Sequence, residues 1–246
     1  MLKNQITAII LLLVTGISAQ LKVAPVASFN KVIISPHIQV TFVEGETESV
    51  RIANSTVPID KINIEVVGKT LRVYLEGAKE ITKSEKVYKK GYKRKQSIYN
   101  GTIVKATITY KNLKELSLRG EEKMVCKSAF VQDKLKLKIY GESQVYLNEV
   151  ALGELNITVY GESFLEIKKG SIDYQKITAY GETKINTLGI SNKSTKITSY
   201  GEGSYRVNVS DKLKVTAYGE ATIAYQGNPD VYKGIIIGEA TIQKIQ

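Results

Sequence analysis

The fold of this chain is encoded in the stretch LKLKIYGESQVYLNEVALGELNITVYGES, residues 135–163, which contains two copies of one motif. Each copy is a strand-like run that ends in Tyr-Gly-Glu. Seven Gly-Glu pairs recur at a nearly constant spacing in this part of the chain, and their glycines are Gly120, Gly141, Gly161, Gly181, Gly201, Gly219 and Gly238. They are separated by 21, 20, 20, 20, 18 and 19 residues. A period near 20 over seven copies predicts a solenoid, in which each repeat buries its apolar face against its neighbours.

Apolar residues alternate with polar ones on both sides of each glycine. Around Gly141 the apolar positions are Leu135, Leu137 and Ile139 before the corner, and Val145 and Leu147 after it. This period of two predicts strands with one buried face. A third apolar segment follows in most copies, at Val150, Leu152, Ile172, Ile190 and Val209. The sequence therefore predicts an all-β chain with a three-sided parallel β-helix, about 20 residues per turn, and right-handed coiling because parallel crossovers prefer that hand.

The outward positions of the repeats form columns of identical residues. The residue before each glycine is tyrosine at Tyr140, Tyr160, Tyr180, Tyr200 and Tyr218, and a lysine column contains Lys176, Lys196 and Lys214. A tyrosine column can act as an aromatic ladder that stabilises adjacent turns. Alternatively, it can serve as a flat platform for sugar rings, flanked by lysine and threonine donors. The structural interpretation is favoured, and these two columns are the candidate binding face.

Residues 20–112 lack the repeat but contain strand-like segments separated by turns. The segments are 31–34, 38–43, 49–52, 62–66, 71–75 and 103–110. Between the last two lies a basic insert, residues 79–95, with eight Lys or Arg against Glu80 and Glu85. Such a density of like charge cannot pack in a core, so we expect an exposed, mobile extension. Its candidate contacts with anionic surfaces are Lys89, Lys90, Lys93, Arg94 and Lys95, although an ordinary solvated loop is the simpler interpretation.

The first residues have the order of a secretory signal. Lys3 precedes an apolar run from Ile6 to Val14, and small residues follow up to Ala19. The run is shorter than the roughly 20 apolar residues of a membrane-spanning helix, so cleavage is favoured over an uncleaved anchor. We predict a signal peptide at 1–19, an N-terminal β region at 20–112 and β-helix repeats at 113–246, the last two packed as one domain. No transmembrane segment is expected after cleavage.

Three further segments carry a resemblance to a known family. They are FNKVII and IQVTFVEG within residues 29–45, GKTLRV at residues 68–73, and ATITYKNLKEL at residues 106–116. With the repeats, they resemble the head GIN domain family of auto-transporter adhesins, over nearly the whole mature chain. The family's repeats usually read Ser-Gly-Ala-Ser, whereas Tyr140–Ser143 and Tyr160–Ser163 read Tyr-Gly-Glu-Ser. The resemblance implies a β-helical fold in an exported Gram-negative protein, and it brings no activity or residue roles.

No set of residues fits a catalytic or metal site. The single histidine, His37, follows Pro36 and is interpreted as a surface residue. Glutamates recur once per repeat rather than in a cluster, so we interpret their column as charge pairing with lysines and not as a cation site. Cys126 is the only cysteine, so no internal disulfide can form, and we expect it to be small and buried. We predict no catalytic residue, no metal and no cofactor.

The net charge of +11 favours anionic partners. Acidic glycans or lipopolysaccharide are the expected partners, and no nucleic-acid-binding motif is present. The first hypothesis is therefore a non-catalytic, adhesin-like protein of the periplasm, outer membrane or cell surface. Two alternatives remain open, a polysaccharide-processing β-helix enzyme and a purely structural or regulatory periplasmic module.

Overall fold

A computed structural model describes residues 22–89 and 92–246 of the chain. The first part of the chain holds a short 3₁₀ helix at Ile59–Lys61 and nine strands. These strands are β1 (Lys22–Pro25), β2 (Lys31–Ile34), β3 (Ile38–Glu44), β4 (Ser49–Ser55), β5 (Ile62–Val67), β6 (Thr70–Leu75), β7 (Ser84–Lys89), β8 (Tyr92–Ser97) and β9 (Val104–Tyr110). All six segments predicted as strands before the repeats are confirmed. The predicted signal peptide, residues 1–19, lies outside the described residues.

The repeats form strands that mostly begin and end at the Gly-Glu corners. They are β10 (Glu115–Gly120), β11 (Lys123–Gly141), β12 (Gln144–Tyr160), β13 (Phe164–Ile167), β14 (Gly170–Tyr180), β15 (Thr183–Tyr200), β16 (Gly203–Gln226) and β17 (Asp230–Lys244). Of these strands, only β16 and β17 run through a corner. Each strand pairs in parallel with the strand one repeat later, so that Ile157 lies between Leu137 and Ile177. The chain is thus a parallel β-solenoid of about six turns, as predicted. Its right-handed coiling stays a prediction.

The core is made by the inward residues of the alternating pattern. Positions predicted to face inward, such as Leu137, Ile157, Val145 and Leu165, are at most 1% exposed. The third side is also buried, through Val150, Leu152, Ile172, Ile190 and Val209. The turn between Gly201 and Gly219 has only 18 residues, and it is shortened on this side. The register of β15 against β16 shifts there, between Thr187 and Asn192. Between these two turns, the corner and the flat side before it therefore keep their register, from Lys196 opposite Lys214 to Tyr200 opposite Tyr218.

The N-terminal strands continue the parallel stack by two layers. Strand β2 pairs in parallel with β10, and β3 pairs in parallel with β11. In the next layer β6 pairs in parallel with β2, and β9 pairs in parallel with β3. Beyond this layer, β5 pairs antiparallel with β6, and β4 pairs antiparallel with both β9 and β1. Antiparallel strands thus cover this end of the parallel stack. The boundary at residue 112 between two regions stays a prediction.

The basic insert is exposed, as expected, but it has regular structure. Strands β7 and β8 pair antiparallel, Ser84 with Ser97 through Lys89 with Tyr92, and form a separate two-stranded sheet. The hairpin forms because Val87, Tyr88 and Tyr92 favour strands. The insert is therefore better described as a hairpin that begins at Ser84, preceded by a segment that contacts the body of the protein.

Two further expectations concern single features. Cys126 is fully buried, as predicted, and burial raises the pKa of its thiol above the ordinary value.

Across residues 22–89 and 92–246, we find no helix with the length and apolar character needed to cross a membrane.

Candidate functional site

The five tyrosines of the predicted column form a continuous stack. Their successive ring centroids are 5.1, 4.8, 4.8 and 4.9 Å apart, and neighbouring planes differ by 2–7°. The spacing follows from the distance between paired strands, about 4.8 Å. Tyr160, Tyr180 and Tyr200 are each about two-fifths exposed. The column is thus an aromatic ladder that links the five strands β11, β12, β14, β15 and β16 on successive turns of the solenoid.

The ladder leaves few ring faces open to a ligand. Each inner ring is covered on both faces by its neighbours. At one end the Arg119 guanidinium lies 5.1 Å from the Tyr140 ring centroid, and at the other Ile237 is in register with Tyr218. Solvent therefore meets ring edges and hydroxyl groups. This geometry favours the structural interpretation of the ladder over a platform on which sugar rings lie flat.

We expect simultaneous replacement of Tyr160, Tyr180 and Tyr200 by serine to lower the melting temperature without any ligand. Each stacked pair contributes about 0.5–1.5 kcal/mol beyond burial, and the substitution removes all four stacks. The expected total for four stacks is about 2–6 kcal/mol, which is read from thermal unfolding by circular dichroism. A variant that melts like wild type but loses glycan or cell binding would assign the ladder a binding role instead.

The lysine column lies on the same flat side as the ladder. Lys176, Lys196 and Lys214 are in register on successive turns, separated from the tyrosines by a threonine column. Stacked like charges on neighbouring strands repel one another, and a bound anion would relieve that repulsion. At the start of the side, Lys136, Asn156 and Lys176 border a shallow groove of about 280 Å³. The two predicted columns therefore do form one surface, and its ligand-binding role stays a prediction.

The basic hairpin has two unlike faces. Because directly paired residues lie on the same side of a sheet, Lys86, Tyr88, Lys93 and Lys95 share one face, where Lys86 is opposite Lys95. The Lys93 Nζ atom lies 5.8 Å from the Tyr88 ring centroid. We call these four residues the cationic face. Sequence reasoning missed Lys86, although the alternation within the strand would have identified it.

The other predicted contacts of the insert are placed differently. Arg94 lies on the opposite face, paired with Val87. Lys89 is the last residue of β7, and only its backbone belongs to the described part of the chain. Lys90 lies outside the described residues. The predicted set thus does not form one surface, and only Lys93 and Lys95 belong to the cationic face.

The segment before the hairpin is bound firmly to the solenoid. Glu80 forms ion pairs with Arg72 and Arg119, and the Ser35 hydroxyl donates to the Lys79 carbonyl oxygen at 2.6 Å. His37 contributes as well, because its ring nitrogens lie 2.8 Å from the Gly101 carbonyl oxygen and 2.6 Å from the Thr82 hydroxyl. His37 lies in a turn at the surface, as expected, and it is half-buried. Its two contacts join the segments on either side of the hairpin.

A cavity of about 410 Å³ lies where this base meets the first Gly-Glu corner. It is lined by Pro36 and His37, by Ile81 and Thr82, and by Arg119 to Glu122 with Tyr140. Glu122 is 5% exposed, and its carboxylate accepts a hydrogen bond from the Glu121 N–H at 3.0 Å. Burial raises the pKa of Glu122, against backbone hydrogen bonds from Glu121 and His37 that lower it. Within the described part of the chain, no three histidine, cysteine, aspartate or glutamate side chains are grouped as a metal site would require.

The fold and these surfaces define a class of protein. It is a β-solenoid with an aromatic ladder on one side and an exposed basic hairpin. The chain belongs to the family described as "Putative auto-transporter adhesin, head GIN domain", whose model matches residues 28–229. No curated protein matches the sequence.

Solved structures share the same fold. A "putative adhesin" from Bacteroides fragilis NCTC 9343 aligns with a TM-score of 0.77 at 18% identity, over 92% of this chain and 96% of that one. A "putative adhesin" from Parabacteroides merdae ATCC 43184 gives 0.68 at 20% identity, over 92% and 95%. A "Putative lipid binding protein" from Parabacteroides distasonis ATCC 8503 gives 0.65 at 18% identity, over 92% and 96%. Membership of this adhesin-like family indicates an exported envelope protein.

Proposed function

We propose that this protein is a non-catalytic, exported protein of the cell envelope that attaches to lipopolysaccharide or an acidic envelope glycan through its basic hairpin. The observation that carries the proposal is the cationic face of Lys86, Tyr88, Lys93 and Lys95. The described positions of β8 are all exposed, and Tyr88 is 76% exposed. A charged surface that projects from the body can reach a partner without rearrangement of the solenoid.

The pairing within the hairpin supports an anionic partner. Lys86 and Lys95 are directly opposite each other, an arrangement that destabilises an isolated sheet. A phosphate or carboxylate between the two ammonium groups removes this repulsion and gains charge-assisted hydrogen bonds. Tyr88 adds an amphipathic ring of the kind that favours the boundary between an apolar and an aqueous phase. A face with these groups suits the phosphorylated headgroup of lipopolysaccharide.

The base of the hairpin supports a mechanical role. Its ion pairs and the contacts of His37 fix the hairpin to the first turns of the solenoid, so that a load on the hairpin is transmitted to a continuous sheet. The solved neighbour described as a lipid binding protein is consistent with contact at a lipid surface. Binding and rigid attachment need no chemical step, which is why we propose no catalysis.

We expect the triple variant Lys86→Gln, Lys93→Gln, Lys95→Gln to bind lipopolysaccharide vesicles about 100-fold more weakly than wild type at low salt. Each basic residue near an anionic surface contributes about 1 kcal/mol, and about 1.4 kcal/mol is tenfold in affinity. Wild-type binding should also weaken as salt rises, because the Debye length falls from about 10 Å at 0.1 M to about 3 Å at 1 M. Vesicle co-sedimentation across a salt series measures both effects.

The matched control is Lys105→Gln, Lys127→Gln, Lys168→Gln, which removes the same net charge from exposed positions of the body. It should bind nearly as well as wild type. Equal weakening in both triple variants would attribute binding to net charge alone, and salt-insensitive binding by all three proteins would contradict the role of the hairpin. Absence of binding by wild type would favour a purely structural module.

A further inference from the structure

The first turn of the solenoid departs from the repeat at the two positions that flank its corner. The tyrosine column has Arg119 at this turn. The column two residues after each glycine carries Ser143 and Ser163 on the following turns, and their hydroxyls donate to the Gly120 and Gly141 carbonyl oxygens at 2.8 Å. At the first turn this small residue is replaced by Glu122. Two large ionisable groups therefore occupy positions that the fold fills elsewhere with tyrosine and a small residue.

Both replacements line the cavity between the first corner and the base of the hairpin. The turn below contributes Pro36 and His37, and the turn above contributes Tyr140 and Glu142. Ile81 stands at the rim and is 81% exposed. The volume, about 410 Å³, lies within the range of small-molecule sites, about 300–1,000 Å³. The repeat itself cannot generate this cavity, because it depends on elements from outside the repeats.

The groups in the cavity include both donors and acceptors. Arg119 is a donor, held by Glu80 and positioned over the Tyr140 ring. Glu121 and Glu142 present exposed carboxylates, which accept. Glu122 is 5% exposed, and its carboxylate accepts the hydrogen bond of the Glu121 N–H, so it adds a further acceptor beside the corner. The walls at Pro36 and Ile81 are apolar.

This combination selects the chemistry of a ligand. The carboxylates of Glu80, Glu121 and Glu142 outnumber the Arg119 guanidinium, so an acidic ligand is repelled. A simple organic cation would need only carboxylates and would leave Arg119 and the apolar walls unused. A sugar ring has hydroxyl groups that donate and accept, and faces of C–H groups that pack on apolar walls. We infer that the cavity formed by Arg119, Glu122 and the base of the hairpin binds a single sugar unit without an acidic group.

This site is independent of the cationic face proposed above. That face lies on β7 and β8, whereas the cavity is lined by the segment that precedes them and by the first corner. A ligand such as lipopolysaccharide offers neutral sugars as well as phosphates and could contact both. The experiments can nevertheless show ligand binding at one site and no binding at the other.

The test is saturation-transfer difference NMR on the full mature protein. The probes are the methyl glycosides of glucose, galactose and mannose, with glucosamine, glucuronic acid and butylammonium for comparison. We expect saturation transfer to at least one neutral glycoside or to glucosamine, and none to glucuronic acid or butylammonium. In Arg119→Tyr, Glu122→Ser, which restores the residues of the next turn, binding should be at least about tenfold weaker. Because the repeat accepts these residues elsewhere, this variant should remain folded.

Two other variants complete the design. Ile81→Ser changes an exposed rim residue, so it tests the cavity without risk to the core, and it should weaken sugar binding about threefold. Glu202→Ser removes an exposed corner carboxylate far from the cavity and should bind like wild type. The cationic-face triple variant should keep its sugar binding, and the Arg119→Tyr, Glu122→Ser variant should keep its vesicle binding.

Three results would overturn the inference. The first is no saturation transfer to any sugar in the wild-type protein. The second is undiminished sugar binding in both the corner variant and Ile81→Ser. The third is binding of butylammonium or glucuronic acid as strong as that of the sugars, which would reassign the cavity to a cation or an acid.

Discussion

Replacement of Ile157 by aspartate is expected to abolish cooperative folding of the solenoid. Ile157 is 1% exposed and is packed between Leu137 and Ile177 of the adjacent turns. An ionised carboxylate without a partner costs several kcal/mol in such a site, a large part of the total stability of about 5–15 kcal/mol. Since each turn is held by its neighbours, a defect in one turn weakens both. Circular dichroism on heating and limited proteolysis measure the loss.

The adjacent residue provides the control. Thr158 lies on the outward side of the same strand, where its neighbours in register are Lys138 and Thr178. An aspartate at position 158 is solvated and lies near a lysine, so Thr158→Asp should change the melting temperature by only a few degrees. If Ile157→Asp melted like Thr158→Asp, the inward placement of Ile157 would be wrong.

The repeats could be predicted from the sequence because every level of the pattern agrees. The alternation of apolar and polar residues along each strand determines which residues face inward. The repeat of about 20 residues determines which of these inward residues stack on one another. Ile157, Val145 and Ile172 on the three sides are all buried as predicted. The tyrosine ladder follows from the same register, since parallel strands place equivalent residues one above another.

The core also contains residues that the repeat does not predict. Gln175 and Thr195 occupy a column that has leucine at Leu135, Leu155 and Leu213, and both are at most 2% exposed. Thr187 donates a hydrogen bond to the Gln175 side-chain oxygen at 3.4 Å. These polar residues lie near the turn where β15 shifts its register against β16. An alternation of apolar residues cannot reveal them, because they interrupt it.

The corner cavity could be predicted only in part. The departure at Arg119 is visible in the repeat alignment, since six Gly-Glu corners are preceded by tyrosine or isoleucine and one by arginine. The residues that face that corner are brought there by contacts between segments that are far apart in the sequence. The partners of His37 are Thr82 and Gly101, which are 45 and 64 residues away in sequence. No local pattern encodes such pairings, so the role of His37 emerges only from the three-dimensional arrangement.

A second large effect is expected for Gly161→Ala at a central corner. Gly161 has a φ of 110°, and a Cβ atom there would lie 2.5 Å from the Gly141 carbonyl oxygen of the preceding turn. The backbone strain costs about 1–3 kcal/mol, and the crowding between turns adds about 1–3 kcal/mol. The sum, roughly 4 kcal/mol, corresponds to a fall of about 10 °C in melting temperature for a chain of this size. Differential scanning calorimetry measures it.

Gly68→Ala provides the reference for a positive φ without crowding. Gly68 also has a positive φ, 60°, but no atom lies within 4 Å of the position of its Cβ. Only the conformational cost of the left-handed region applies there, about 1–2 kcal/mol. A fall in melting temperature at Gly161 well beyond that at Gly68 would show that the corner is less tolerant than the left-handed region, through its wider φ and the contact between the turns together. Equal falls would mean that the corners require glycine for its backbone angle alone, and that the stacked carbonyl groups have room for a methyl group.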